Sequence, residues 1–142
     1  SDHYSRKIVG NHLSDDLSTE GPLKALSMSL RGLSDDEIFN MIHHSDRGTQ
    51  YSSIQYVEKL KRNNIQISMS SPGKPYENGI MERIIGILKE EFLLNRIFKD
   101  IQEIKKAVRE AIEIYNKERP HLSLNYKTPA EKYNENVKEQ AA

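Results

Sequence analysis

The chain has 142 residues, which bounds it to one ordinary domain. Its apolar content is 36%, below the usual level of about 45–50% even with seven glycines added, and this predicts a thin core. Lysine plus arginine match aspartate plus glutamate at 21 each, so no global field attracts nucleic acid. Residues 1–50 carry a net −3 and residues 51–142 a net +3, an asymmetry too small to argue DNA binding by itself. The absence of cysteine excludes disulfides and thiolate metal sites. No apolar run approaches the roughly 18 residues of a membrane span, and no signal-peptide pattern is visible. A soluble, cytoplasmic protein is the expectation.

Residues 4–13 read as the first strand, favoured by Ile8 and Val9 and weakened by Gly10, which marks a bulge or close packing. A helix is predicted over 19–30, with Pro22 in its first turn and Leu23, Leu26 and Leu30 at helical spacing. Ser34-Asp-Asp-Glu37 is a capping-box pattern, so Asp35 and Asp36 read as first-turn helix residues. Residues 38–44 lead into a second strand whose end presents Asp46, and Gly48 lets the chain turn away. A helix follows from Ser52 or Ser53 to about Asn63, with Ile54, Val57 and Leu60 predicted to face inward. Residues 65–69 alternate apolar and polar, a strand signal. Strand, helix and strand across 40–69 make a βαβ unit with parallel strands.

Residues 70–78, rich in serine, proline and glycine, predict a mobile loop. A helix is expected over 78–94. Asp100 caps the next, with Glu103 completing the pair and Ile101, Ile104, Val108, Ala111, Ile112 and Tyr115 forming one stripe. Pro120 ends it. A last short helix is expected from Thr128 to Tyr133, and residues 134–142 read as a polar, frayed C-terminal tail.

Two carboxylates stand out. Asp46 sits at a strand end and Glu82 in the first turns of a helix, with 35 residues between them. Such a pair can converge on one divalent metal that drives phosphoryl transfer. Taken alone, Asp46 reads equally as a helix cap, and a chain with 21 acidic residues offers many pairs. Glu82, Gly86 and Lys89 share a helix face, which is either a solvated surface or an acid, a gap and a base where a phosphate approaches.

The surrounding residues carry a sharper signal. They read His-Ser-Asp-Arg-Gly-Thr-Gln-Tyr-Ser-Ser (44–53), Ser-Ser-Pro-Gly-Lys-Pro-Tyr-Glu-Asn-Gly-Ile-Met-Glu-Arg (70–83) and Tyr-Asn-Lys-Glu-Arg-Pro-His-Leu-Ser-Leu-Asn-Tyr-Lys-Thr-Pro-Ala-Glu-Lys-Tyr (115–133). Three motifs in this order closely resemble the catalytic domain of bacterial insertion-sequence transposases of the retroviral-integrase type, over about residues 2–133. The resemblance implies an α/β fold, a ribonuclease-H-like integrase core, here with about three strands and five or six helices. It implies that Asp46 and Glu82 are catalytic metal ligands for Mg²⁺ or Mn²⁺, and that DNA, both transposon ends and target, is the substrate. A homo-oligomer in the bacterial cytoplasm, near the nucleoid, is the accompanying expectation.

Lys74 is either a solvated lysine or a phosphate clamp, and Tyr76 either stacks on a base or half-buries in the loop. Asn78 is either an N-cap or a DNA-contacting amide. His43 and His44 alternate across a strand, so at most one faces the site. Arg119-Pro-His121 reads either as structural, tying the last helices to the core, or as a direct DNA contact by one of its charged residues. The family uses three acids, and none of Asp2, Asp15 and Asp16 matches the first. The sequence is therefore expected to begin after the first catalytic strand, with residues 1–133 as the core and 134–142 as the tail. Cleavage and joining of DNA is the leading function. The alternatives are a non-catalytic remnant that binds DNA or intact transposase as a regulator, and a nuclease that cuts without joining.

Overall fold

The computed structural model describes residues 1–140. Among them are six α-helices, two 3-10 turns and two strands, in two compact units, one of Gly10–Gly79 and one of Ser1–Val9 with the chain from Ile80 onward.

In the unit Gly10–Gly79, helix α1 (Glu20–Ser29) turns Leu26 inward. Gly10 passes so close to it that a Cβ there would lie 2.2 Å from the Ala25 carbonyl oxygen, so only glycine fits. Helix α2 (Asp35–Phe39) starts in the complete capping box that Ser34 and Glu37 predict. Strand β1 (Ile42–Ser45), helix α3 (Ile54–Arg62) and strand β2 (Gln66–Met69) form the βαβ unit, with Ile42 opposite Gln66 and Ser45 opposite Met69 in a parallel pair. Ser53 caps α3 by accepting from the Tyr56 N–H.

The α3 stripe departs from the expected register. Ile54 is 78% exposed, while Tyr56 and Leu60 are buried with Leu26 and Ile65. Tyr56 wins because its ring packs edge-on against Tyr51 and its hydroxyl meets His43 Nε2 at 3.0 Å. A buried tyrosine needs such a partner for its hydroxyl.

The second unit is built on α4 (Gly79–Glu90), α5 (Ile101–Lys117) and α6 (Pro129–Gln140). Ile84 and Ile87 of α4 pack with Tyr115 of α5 and with Ile8, flanked by Ile80, Leu88, Phe92 and Ile112. Helix α4 stops four residues short of the expected end, because Leu93 takes a left-handed φ of +54°. Asp100 caps α5 through the Glu103 N–H at 2.9 Å, and the Glu103 carboxylate reaches back to the Lys99 N–H. Helix α6 continues past Tyr133 to Gln140.

The strand expected over 4–13 does not form, so the described residues hold two strands rather than three. A strand needs a neighbouring backbone, and here a side chain takes that place. The Asn116 amide accepts from the Ile8 N–H at 2.9 Å and donates to the Ile8 carbonyl at 3.0 Å. Asp2 gathers the Ser5 N–H and hydroxyl just before, and Arg6 takes a φ of +65° that no strand residue adopts. The apolar residue of the pattern is still buried, since Ile8 belongs to the core.

Candidate metal and nucleic-acid site

Asp46 follows the last residue of β1 and is exposed. Its Oδ1 accepts from the Gly48 N–H at 2.9 Å, a turn that carries the chain away from the strand. A Cβ on residue 48 would stand 3.0 Å from that oxygen, so glycine leaves the carboxylate its place. Asp46 does not cap α3, a role that Ser53 fills. Burial, and then the Asp46 charge, raise the Tyr51 hydroxyl above its ordinary pKa. His44, opposite Ser68 in the sheet, lies with Nδ1 2.8 Å from the Ser68 hydroxyl and Nε2 3.2 Å from that of Ser70. His43, on the other face, sits against Tyr56 and Tyr51, and burial lowers its pKa.

The loop after β2 is tied down at several points. The Ser70 N–H extends the ladder to the Ser45 carbonyl at 2.9 Å, and Arg47 Nε donates to the Ser70 carbonyl at 2.9 Å. Glu77 accepts from the Ser71 N–H at 2.6 Å and stands 3.8 Å from the Lys74 ammonium. Tyr76 is 70% exposed, so the half-buried alternative gives way to an outward-facing ring. Asn78 closes a 3-10 turn, Pro75–Asn78, that runs straight into α4. It therefore stands inside a helical run rather than at an N-cap.

Glu82 lies in the first turn of α4 and Lys89 in the last, both exposed, with Gly86 between them on the same face. A Cβ at Gly86 would meet nothing within 4 Å. Packing therefore gives no reason for a glycine inside this helix. Just beyond α4, Glu91 receives the Arg119 guanidinium, with Nε–Oε2 and Nη2–Oε1 both 2.7 Å. Nη1 of Arg119 is 3.3 Å from His121 Nε2, and the His121 ring meets Tyr115 edge-on at 4.9 Å. Arg119 holds the Glu91 carboxyl below its ordinary pKa, and burial does the same to His121. The motif 119–121 is thus a structural brace on the helix that bears Glu82.

The structure gathers Lys74, Glu77 and Tyr76 on one loop, and Glu82 with Lys89 on one helix; Asp46 belongs to one unit and Glu82 to the other. Glu77 and Glu91 have no signal of their own in the sequence, although Lys74 and Glu77 stand at a spacing that permits a pair. Residues 1–75 and 63–129 match two family models, each described as an integrase core domain. The chain belongs to the integrase core domain family.

The integrase core is 38% identical over 138 residues to the uncharacterized 31 kDa protein of insertion element IS600 from Shigella sonnei, covering 94% of this chain and 50% of that protein. It is 35% identical over 140 residues to the transposase for insertion sequence element IS904 from Lactococcus lactis, covering 94% and 53%. It is 33% identical over 134 residues to the putative transposase InsK for IS150 from Escherichia coli, covering 94% and 47%. The chain thus spans about half the length of the curated relatives it matches. The catalytic core domain of BIV integrase shares its ribonuclease-H-like fold, with a TM-score of 0.65 at 20% identity, covering 91% of this chain and 79% of that one.

Asp46 and Glu82 are each an exposed carboxylate, a hard oxygen donor of the kind that a divalent cation takes. Among the described residues no group of three or more histidine, aspartate and glutamate side chains is gathered to hold a metal. No helix among them is long and apolar enough to cross a membrane.

Proposed function

We propose that this integrase core works in DNA transposition, in the cleavage and joining of phosphodiesters at transposon ends and target. Asp46 and Glu82 are its catalytic carboxylates, and they would hold Mg²⁺ or Mn²⁺. The bound ion supplies Lewis acidity at the phosphoryl oxygens. Lys74, Lys89, Tyr76 and Asn78 contact DNA. The two lysines neutralise phosphates without reading sequence, the exposed Tyr76 ring offers a stacking surface, and Asn78 orients a backbone or base edge. Water or a terminal 3′-hydroxyl attacks phosphorus, and the opposite oxygen leaves with the strand.

The observation that carries this reading is the placement of the two acids. Each stands exposed at or near the end of an element, β1 for Asp46 and the first turn of α4 for Glu82. In a complete transposase carrying this core, Asp46→Asn and Glu82→Gln abolish cleavage and joining while DNA binding is kept or tightened. Cleavage at the unmodified rate by either variant removes that carboxylate from the mechanism.

A non-catalytic regulator is the alternative reading. Under it the 142-residue chain binds DNA or transposase and neither nicks nor joins in Mn²⁺. We take the chain to be self-associating as well. Among the described residues the sheet has two strands, and an unpaired strand edge invites a second chain. Light scattering that finds only monomer counts against this part.

A further inference from the structure

The Ser70–Ser71 peptide is held from both sides. Its carbonyl accepts from Arg47 Nε at 2.9 Å, and its N–H donates to Glu77 Oε2 at 2.6 Å. This peptide bond is trans, so the two groups point in opposite directions. Arg47 and the ladder bond from Ser70 to Ser45 fix the peptide without help from Glu77. The Ser71 N–H therefore keeps its aim when the Glu77 carboxylate leaves. The second Glu77 oxygen faces the Lys74 ammonium at 3.8 Å. A backbone N–H beside an ammonium is the donor set that takes a phosphate oxygen.

We propose that the Ser71 N–H and the Lys74 ammonium form a phosphate subsite, which Glu77 fills with its own carboxylate in the free protein. Glu77 is an internal stand-in for the DNA backbone. It swings out when a phosphate arrives, and it lowers affinity until then. The inference rests on the reading of this loop as a DNA contact and adds how that contact is regulated. The Lys74–Glu77 pair is long, with side chains 51% and 30% exposed. A surface pair of this kind is worth up to about 1 kcal/mol, or roughly five-fold in affinity. That is small enough for a backbone phosphate, a monoanion with two free oxygens, to displace it. Gly73, at φ +73° with open space around it, gives the loop the freedom to let Glu77 move.

The test compares the wild-type chain with Glu77→Gln, Lys74→Ala and the double variant. Glutamine keeps an acceptor for the Ser71 N–H and removes the charge. Binding of a short DNA duplex is expected to tighten about two- to five-fold in Glu77→Gln, and the gain is lost when Lys74 is also alanine. A gain that survives in the double variant is a general charge effect and overturns the subsite. So does an affinity equal to or weaker than wild type in Glu77→Gln when duplex binding depends on Lys74. Inorganic pyrophosphate reads the subsite without DNA. The Ser71 amide resonance shifts at lower pyrophosphate concentration in Glu77→Gln than in wild type. If that shift occurs while no variant binds duplex, the DNA reading falls and the phosphate subsite stands. If Ser71 stays unmoved in every variant, the subsite is refuted.

Discussion

Arg119 and Glu91 meet as a two-bonded fork, Nε–Oε2 and Nη2–Oε1 each at 2.7 Å, between the end of α5 and the residue after α4. The Arg119 side chain is 22% exposed and that of Glu91 45%, so solvent screens the pair only in part. A lysine keeps the charge and loses the fork. Arg119→Lys is therefore expected to lower unfolding stability by about 1 kcal/mol, and Arg119→Ala by more, because the Nη1 contacts to His121 and the Pro120 carbonyl go as well. Urea titration reads both. The salt dependence of DNA binding is expected to stay unchanged in Arg119→Ala, since this guanidinium is already engaged. A flatter slope would turn Arg119 into a DNA contact.

Lys74 and Lys89 are exposed, and each is proposed to neutralise one phosphate. Replacing either by alanine is expected to weaken DNA binding uniformly across sequences. The log–log salt slope then falls by about 0.9 per lysine on duplex. Fluorescence anisotropy over a salt series measures this. Unchanged slopes in both variants take them out of the DNA path.

Local patterns were readable where one element settles its own shape. The alternation over 65–69 predicts β2, and the Ser34–Glu37 spacing predicts the capping box that opens α2. The close approach flagged by Gly10 is the Ala25 contact. Features that depend on distant partners were not readable. Ile8 fits a strand by propensity, but its backbone is taken by Asn116, 108 positions away. Ile54 suits an inward stripe until the Tyr56 hydroxyl finds His43 and turns the helix face. Of the candidate site, the motifs single out Asp46 and Glu82, whose shared role is a proposal. The Glu91–Arg119 brace spans 28 positions and leaves no periodic trace.

His121 makes stability depend on pH. It is buried, with Nε2 facing an Arg119 donor, so the neutral ring fits and the imidazolium does not. Burial lowers its pKa first, then the charges of Arg119, Arg6 and Arg83, while Glu91 opposes them. The unfolded chain, at about 6.5, takes up the proton first. The stabilisation is fully present above that value, declines as pH falls below it, and is gone once pH passes the folded value. Half-buried His43 acts with the same sign. The unfolding midpoint is thus expected to drop between pH 7 and pH 5, and His121→Gln to show a smaller drop. An identical drop in the variant would mean that His121 does not titrate this way.

Asp46 and Glu82 are proposed to share one ion. In a crystal grown with Mn²⁺ and DNA, their nearest oxygens are expected within roughly 4.5 Å, at most about twice a metal–oxygen distance. A separation beyond about 10 Å in that complex is too long for any single ion to bridge, and it would end the shared-ligand proposal.

Gly86 is proposed to set stability against binding on the same helix. Glycine inside a helix is less favourable than alanine by about 1 kcal/mol. A Cβ here meets nothing within 4 Å, so a side chain fits without strain. Gly86→Ala is therefore expected to stabilise the protein by about 0.5–1 kcal/mol, partly by restricting the unfolded chain. The open face between Glu82 and Lys89 is proposed as the path of a DNA phosphate, which needs close approach to the helix. Gly86→Gln keeps the helical preference and fills that path with a longer side chain. Its stability is expected to match or exceed wild type, while its DNA affinity falls several-fold and the contribution of Lys89 to the salt slope disappears. Urea unfolding and anisotropy on the same preparations separate the two effects. Wild-type affinity in Gly86→Gln would leave the glycine without a role in DNA approach.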